Sequence, residues 1–213
     1  MHFIRGLVTW LLQPILLLYK LLFGRRRSSC NNSSCHQSDA TITSTSPLDQ
    51  SEHHPDSLPL PTGEYEVFLS FRGLDTRHQL TDILYRFLIH LKIRTFRDDD
   101  ELRKGEGIWS NLIKAIGQSK VYIPILSESY AHSKWCLKEL AEIVEHHKRK
   151  KGHIILPIFY MVDPRDVRHQ TEPYQSAFQQ HEKDFDVKTL QIWRDALNEV
   201  GTLKGWHVRT KDE

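Results

Sequence analysis

Five short apolar runs interrupt the polar sequence beyond residue 64. Each predicts a buried strand, because it is brief and rich in β-branched and aromatic residues. The clearest are YEVFLSF, VYIPIL and IILPIFY. Pro124 and Pro157 fall inside two of these runs, where proline removes a ladder donor, but helical spacing fits neither run better. The predicted strands are 65–71, 93–96, 121–126, 154–160 and 206–208.

Between the apolar runs, hydrophobic residues recur every three or four positions, which predicts amphipathic helices. Ser133 stands at the N-cap position of one of them, where its hydroxyl can accept from a backbone N–H of the first turn. Gly117 is placed to end another. Residues 163–166 (DPRD) are interpreted as a polar loop. The predicted helices are 76–91, 108–117, 133–150, 174–181 and 190–200.

This alternation of strands and helices predicts an α/β fold with a five-stranded parallel sheet and helices on both faces. Such sheets bind ligands at the carboxyl ends of their strands. Trp135 and Glu139, four residues apart at the start of a helix, fall on that edge and lie just off the apolar stripe. An aromatic ring beside a carboxylate suits a flat ring and a sugar hydroxyl, although a surface glutamate and a tryptophan covering the core edge are the ordinary alternatives. Three loops should line the edge: 71–76, 98–107 and 127–135.

Composition and charge narrow the class of protein. The chain has 213 residues, 39% hydrophobic and 26% charged, as in a soluble globular domain with a tail. Its net charge of +2 gives no electrostatic case for nucleic-acid binding. Three cysteines (Cys30, Cys35 and Cys136) form no disulfide framework, which favours a reducing compartment.

The first 24 residues predict a membrane segment. Residues 3–23 are long and apolar enough to cross a bilayer, although Arg5 and Pro14 interrupt them. Arginines at 25–27 follow directly, so the rest of the chain should face the cytoplasm. We therefore expect a retained signal anchor at 1–24, on an endomembrane (Golgi or ER) or the plasma membrane. An interfacial amphipathic helix is the alternative.

Residues 24–64 contain no aromatic side chain and are dominated by Ser, Thr, Asn, Pro and His. Such a stretch buries too little apolar surface to offset its ordering entropy. We expect a disordered linker at 25–62, followed by the folded domain at 63–213.

Several common sites of α/β proteins are absent from the sequence. No G-x-G-x-x-G follows a strand, and no P-loop, G-x-S-x-G elbow or zinc-ligand spacing occurs. Asp98, Asp99 and Asp100 have the chemistry to bind a divalent ion, but a solvated loop explains them better and we expect no metal requirement.

Four segments resemble the TIR domain of plant intracellular immune receptors, in the family's order and spacing from about Glu64 to Val208. They are YEVFLSFRGLDTR (65–77), TFRDDDELRKGEGI (95–108), SESYAHSKWCLKELAEIV (127–144) and ILPIFYMVDPRDVRHQT (155–171). The apolar N-terminus and GWHV at 205–208 resemble the flax rust-resistance TIR proteins in particular.

The resemblance implies a flavodoxin-like fold that self-associates and hydrolyses NAD⁺, as an NAD⁺ glycohydrolase of the ADP-ribosyl cyclase/cyclic ADP-ribose hydrolase type. NAD⁺ would be the substrate, with NADP⁺ as an alternative. Glu139 would be catalytic and Trp135 would lie beside the nucleotide. Loop 98–107 corresponds to a mobile loop that packs on a neighbouring subunit and opens or completes the site. The other residues implied in dinucleotide binding are Ser70, Phe71, Arg72, Gly73, Arg103 and Gly105.

The implied partners are other TIR domains, downstream immune signalling proteins and a membrane reached through the N-terminus. Because the sequence ends at Glu213, we expect the family's last helix to be missing, which would leave helix 76–91 uncovered. A TIR-only protein and a fragment of a longer receptor both fit. So do two other functions: a non-catalytic, membrane-tethered adaptor that binds TIR domains and, with less support, a cyclic-nucleotide synthetase acting on nucleic acid.

Overall fold

The computed structural model describes residues 65–97 and 106–209, and these belong to one compact unit that begins at Gly63. Within these residues six strands form a single parallel sheet in the order β2-β1-β3-β5-β6, with β4 paired to β3. The strands are β1 Val67–Phe71, β2 Thr95–Arg97, β3 Val121–Leu126, β4 Ile154–Ile155, β5 Ile158–Tyr160 and β6 Trp206–Val208.

Helices connect successive strands in the described part of the chain, except between β4 and β5. A π-helical turn, Arg77–Thr81, and a 3₁₀ turn, Tyr130–His132, supplement them. The α-helices are α1 Gly73–Thr76, α2 Asp82–His90, α3 Glu106–Gln118, α4 Lys134–Arg149, α5 Pro164–His169, α6 Tyr174–His181 and α7 Val187–Thr202.

The predicted parallel α/β fold is confirmed, but the predicted five strands are six in the structure. The fourth predicted strand, 154–160, is two short strands separated by Leu156 and Pro157. Leu156 N still donates to Tyr122 O at 2.8 Å, whereas Pro157 has no N–H and only its carbonyl accepts, from Trp206 N at 3.0 Å. Pro124, by contrast, sits within the unbroken β3, opposite Ser70 of β1.

The predicted loop at 163–166 is wrong. Residues Pro164–His169 form α5, in which Asp163 is the N-cap and accepts from Arg165 N at 2.8 Å. A proline at the first helical position costs nothing, because that N–H has no partner inside a helix. Asp followed by Pro was therefore a start signal for a helix.

Two other predicted boundaries shift. The helix predicted at 76–91 begins earlier, at Gly73, and contains the π-helical turn. The second strand begins at Thr95 instead of Ile93, because Ile93 N donates to Leu88 O at 3.0 Å and so closes the end of α2. Ser133 is the N-cap of α4 as predicted, accepting from Cys136 N at 3.3 Å.

The sheet is covered on both faces. Successive side chains of β1 point to opposite faces, and all of them are buried. Phe68 points towards the face covered by α3, α4 and α7, where the large core cluster lies. Helix α4 contributes the central stripe of that cluster, and its residues there are fully or almost fully buried: Cys136, Leu137, Leu140, Ile143 and Val144. This packing fixes α4 against β1, and so places the start of α4 at the carboxyl edge of the sheet.

The predicted membrane segment at 1–24 and linker at 25–62 lie outside the described residues. None of the helices within the described ranges combines the length and apolar character needed to cross a bilayer.

A cluster of three side chains, Tyr122, His146 and His153, lies at the amino-terminal edge of the sheet. Tyr122 OH donates to Ile116 O at 3.0 Å, so its single proton is committed. The imidazole is therefore the donor in the second bond, in which His146 Nδ1 lies 2.6 Å from Tyr122 OH. Burial first, and then the positive charges of Lys150, His153 and Arg149, lower the pKa of His146 below its usual value.

We expect this cluster to make the protein less stable as the pH falls below neutrality. The lowered pKa of His146 means that the unfolded chain binds the proton at a higher pH than the folded chain does. Stability is therefore complete above the unfolded pKa and falls as the pH drops towards the folded pKa. Urea unfolding at pH 8 and pH 5.5 measures the loss, which should be smaller in His146→Gln. An equal loss in both proteins would contradict this assignment.

Candidate functional site

The loops that follow β1 and β3 are bound to each other at the carboxyl edge of the sheet. Asp75 accepts from Ser129 Oγ at 2.6 Å and from Ser127 Oγ at 2.5 Å. Arg72 also connects the two loops, because its guanidinium donates to Ser129 O. Two of the three loops predicted to share this edge therefore do so, whereas most of the third, 98–105, lies outside the described residues. Asp75, Ser127 and Ser129 were not predicted as site residues.

Glu139 is buried at this edge, with 2% of its surface exposed. Ser70 Oγ donates to Glu139 Oε2 at 2.9 Å and lies 2.8 Å from Tyr130 OH. Tyr130 OH in turn donates to Cys136 O at 3.1 Å. Complete burial, followed by the nearby Cys136 and Glu139, raises the pKa of Tyr130 well above its usual value, so the phenol remains a donor. The result is a carboxylate that accepts from the Ser70 hydroxyl inside the fold, with Tyr130 next in the same network.

The structure buries Glu139 together with the apolar stripe of α4, whereas the sequence pattern places it just off that stripe at the rim of the core. Its position off the stripe turns it towards β1, because the helix packs directly over that strand. Ser70, on the same face of β1 as Phe68, supplies the polar partner that a buried carboxylate requires. Trp135, one turn earlier, is only partly buried and reaches the rim.

Trp135 belongs to an aromatic and cationic cluster. Its ring centroid lies 6.0 Å from that of Trp109, with an angle of 44° between the planes. The Lys138 ammonium lies 4.9 Å from the centroid of Trp135 and 5.9 Å from that of Trp109. Trp109 was not predicted as a site residue. The available signal was its place in the first turns of the helix that follows the second rim loop.

The remaining predicted site residues separate into two groups. Phe71 is buried and accepts a weak bond from Cys136 Sγ through its carbonyl, at 3.5 Å. A Cβ added at Gly73 would lie 2.6 Å from the Arg77 guanidinium, so that flexible side chain would have to move to make room for it. Arg103 and Gly105 lie outside the described residues.

A cleft of about 540 Å³ opens beside the start of α4. Arg72 and Trp135 line it, so it contains two of the predicted binding residues, but Glu139 is not part of its wall. This volume falls in the range of small-molecule sites. His181, which lines the cleft, donates through Nε2 to Ala131 O at 2.9 Å. The other lining residues are Leu74, His132, Ser133, Lys134, Gln180, Asp184 and Phe185.

The fold and this edge define a class of protein: a doubly wound α/β domain with a buried, hydroxyl-bound carboxylate at its ligand edge. The TIR domain family model matches residues 64–213. The chain belongs to the TIR domain family, as the resemblance implied.

Its relatives are plant disease resistance proteins. The chain is 49% identical over 152 residues to disease resistance protein RPV1 of Vitis rotundifolia, a match that covers 71% of this chain and 11% of that protein. It is 50% identical over 143 residues to the TMV resistance protein N of Nicotiana glutinosa, covering 66% of this chain and 12% of that protein. The chain thus spans about a tenth of the length of these relatives.

A solved structure of similar fold comes from the activated Roq1 resistosome directly recognizing the pathogen effector XopQ (TIR domains). Its TM-score is 0.63 at 42% identity, over 70% of this chain and 90% of that chain.

Proposed function

We propose that this TIR domain hydrolyses NAD⁺ and that Glu139 is its catalytic residue. The observation that carries the proposal is the placement of Glu139: a carboxylate that is 2% exposed, bound by Ser70 and one helical turn from Trp135 at the ligand edge. A carboxylate removed from water interacts more strongly with positive charge than a solvated one does. Positive charge is what develops on the ribose when the nicotinamide bond breaks.

The reaction has a simple balance of bonds and protons. The bond between ribose C1′ and the nicotinamide nitrogen breaks, and nicotinamide leaves with the bonding electron pair. A water oxygen bonds to C1′ and releases a proton to solvent, which gives ADP-ribose. Nicotinamide departs neutral from a cationic ring, so no general acid is required. Glu139 opposes the charge on the oxocarbenium-like transition state and accepts from the ribose hydroxyls.

The residues of the cleft suit the rest of a dinucleotide. Arg72 brings a fixed positive charge for a phosphate, and the partly buried Trp135 brings a ring face for a base. Trp135 lines the cleft and lies in the first turn of the helix that carries Glu139, so it connects the cleft with the carboxylate. Because Glu139 is almost fully buried, the ribose reaches it only after the cover over the carboxylate moves. This requirement implies a slow enzyme.

We further propose that association of TIR domains completes the site, and that the products act in plant immune signalling through downstream proteins. The related Roq1 domain comes from an activated resistosome, which supports assembly as the setting. Fixing the reacting groups by assembly would lower the barrier without changing the chemistry. Tethering to the cytoplasmic face of a membrane through 1–24 would raise the local concentration of domains.

One observation favours a second function, that of a non-catalytic adaptor. Ser70, Tyr130 and Glu139 form a connected buried network between β1 and α4. Such a network can have a purely structural role, which is to fix the register of a helix on a sheet. In that case the domain acts through a binding surface for other TIR domains, and the cleft has no substrate.

Nicotinamide release at increasing protein concentration tests the proposal. With the full chain, we expect the rate per molecule to rise with concentration and then level off, since the active form is an assembly. The same samples, measured by light scattering, give the state of association. Association without release of nicotinamide at any concentration would reject the hydrolase and support the adaptor.

A further inference from the structure

The amino-terminal edge of the sheet, opposite the candidate site, is rich in lysine. Strands β1, β2 and β3 begin in register there, with Val67 opposite both Thr95 and Val121, and Val121 opposite Ile154 of β4. The residues just before these strands therefore form a row across the edge. Neighbouring strands lie about 4.8 Å apart, so the row from β2 to β4 is about 15 Å wide.

Four exposed lysines belong to this edge. Lys92 precedes β2, Lys120 precedes β3, and Lys150 and Lys151 lie between α4 and β4. Backbone bonds hold their positions: Lys120 N donates to Glu66 O at 3.1 Å, and Ile154 N donates to Lys120 O at 2.9 Å. Lys120 is thus held at the start of a strand, and the other three lysines lie in the short turns that lead into β2 and β4.

The positive charge of this edge is not neutralised nearby. Glu66 lies 3.6 Å from the Arg94 guanidinium, and Glu145 lies 2.7 Å from that of Arg149, so each of these carboxylates already has an arginine. Within the described ranges, none of the four lysines forms an ion pair. The edge therefore carries about four uncompensated charges, although the whole chain has a net charge of only +2.

The chain enters the domain at the middle of this basic edge. Tyr65 leads directly into β1, which lies between β2 and β3 in the sheet. Glu66 N donates to Arg94 O at 2.8 Å, so the entry point is fixed beside the lysines. The preceding 64 residues, with their predicted membrane segment and arginines 25–27, are joined to the domain at this point of the chain.

We propose that the edge formed by Lys92, Lys120, Lys150 and Lys151 docks on an anionic membrane surface. Lysine suits this partner, because its long stem lets the ammonium reach headgroup phosphates and carboxylates from a rigid base. The row extends along one edge of the sheet, which suits a surface as its partner.

Docking in this way sets the orientation of the domain. The candidate site is at the carboxyl ends of the same parallel strands, so it faces away from the bilayer. Trp135, the cleft and the surfaces around them would be open to soluble ligands and to neighbouring domains. This orientation does not depend on whether the site hydrolyses NAD⁺.

Lysine acetylation of the full chain on vesicles tests the proposal. The protein is bound to vesicles of phosphatidylcholine, with or without phosphatidylserine, and the acetylation rate of each lysine is followed by mass spectrometry. We expect the four edge lysines to be protected on the anionic vesicles only, and the protection to fade with added salt. Exposed Lys134 and Lys183, near the candidate site, are internal controls and should react equally on both vesicles.

A pair of charge reversals provides a second measurement. Competition of the full chain between the two vesicle types should shift towards neutral vesicles by at least about tenfold in K120E/K151E, because each lysine near an anionic surface contributes roughly fivefold. The matched variant K183E/K188E should behave as the wild type. Equal protection of all lysines, an equal shift in both variants, or stronger protection by an RNA oligonucleotide than by vesicles would overturn the proposal.

Discussion

Glu139→Gln should reduce the release of nicotinamide from NAD⁺ by at least about 100-fold, the usual cost of losing one electrostatic contact to a transition state. Glutamine has nearly the same volume, and its carbonyl can still accept from Ser70, so only the negative charge is removed. The loss should appear in kcat, because the charge acts on the cation that forms during bond breakage. Single-turnover assays with NAD⁺ in excess over the KM measure it.

Glu142→Gln is the matched control for this substitution. Glu142 lies on the same helix and is exposed, so its replacement removes the same charge from outside the site. Its turnover should equal that of the wild type. Far-UV circular dichroism and the unfolding midpoint of both variants should stay close to the wild type. If Glu139→Gln releases nicotinamide normally, the carboxylate is structural and the hydrolase assignment fails.

Trp193→Ala should lower the free energy of unfolding by about 3–5 kcal/mol, the range for removing a large buried aromatic side chain. Trp193 is 2% exposed on α7, and its ring lies 4.9 Å from Phe185 and 5.5 Å from His181. Alanine leaves a cavity that these rings cannot fill. Because α7 packs on α4, the same change should loosen the helix that carries Glu139. Chemical denaturation of the full chain gives the value.

The neighbouring residue supplies the control. Ile192 is 49% exposed on the same helix, so Ile192→Ala removes apolar surface that is half in water. It should cost less than about 1 kcal/mol, since surface positions contribute little. A similar loss in both variants would mean that the effect does not come from burial of the Trp193 ring, because alanine favours a helix at either position. The denaturant dependence should stay constant, which would show that the unfolded state has not changed.

Local chemistry explains why most elements could be predicted. Ser133 starts α4 because a hydroxyl at the N-cap satisfies an N–H, whatever surrounds the helix. Asp163 and Pro164 carried a start signal of the same kind, which was taken for a loop because the helix has only six residues and no apolar period. Pro157 lies where a predicted strand is interrupted, whereas Pro124 stays within an unbroken strand. Both lack the backbone N–H, so the missing donor does not by itself predict a break.

The candidate site was predicted only in part. The positions of Trp135 and Glu139 at the ligand edge follow from the order of strands and helices alone. Their different exposure does not, because it depends on the angle at which α4 lies over β1. Asp75 gave no signal in the sequence, since it owes its role to partners far along the chain. Trp109 offered only its place in the first turns of the helix that follows the second rim loop.

By itself, the sequence determined the parallel α/β class, the start of α4 and the edge at which a ligand would bind, because periodicity, caps and strand order are local or topological properties. It also determined the resemblance to TIR domains, which the family match confirmed. Only the tertiary structure decided that Glu139 is buried against Ser70, that Asp75 joins two loops, and that lysines from three separate connections share one edge. Those features arise from contacts between residues more than 25 positions apart, which no local pattern specifies.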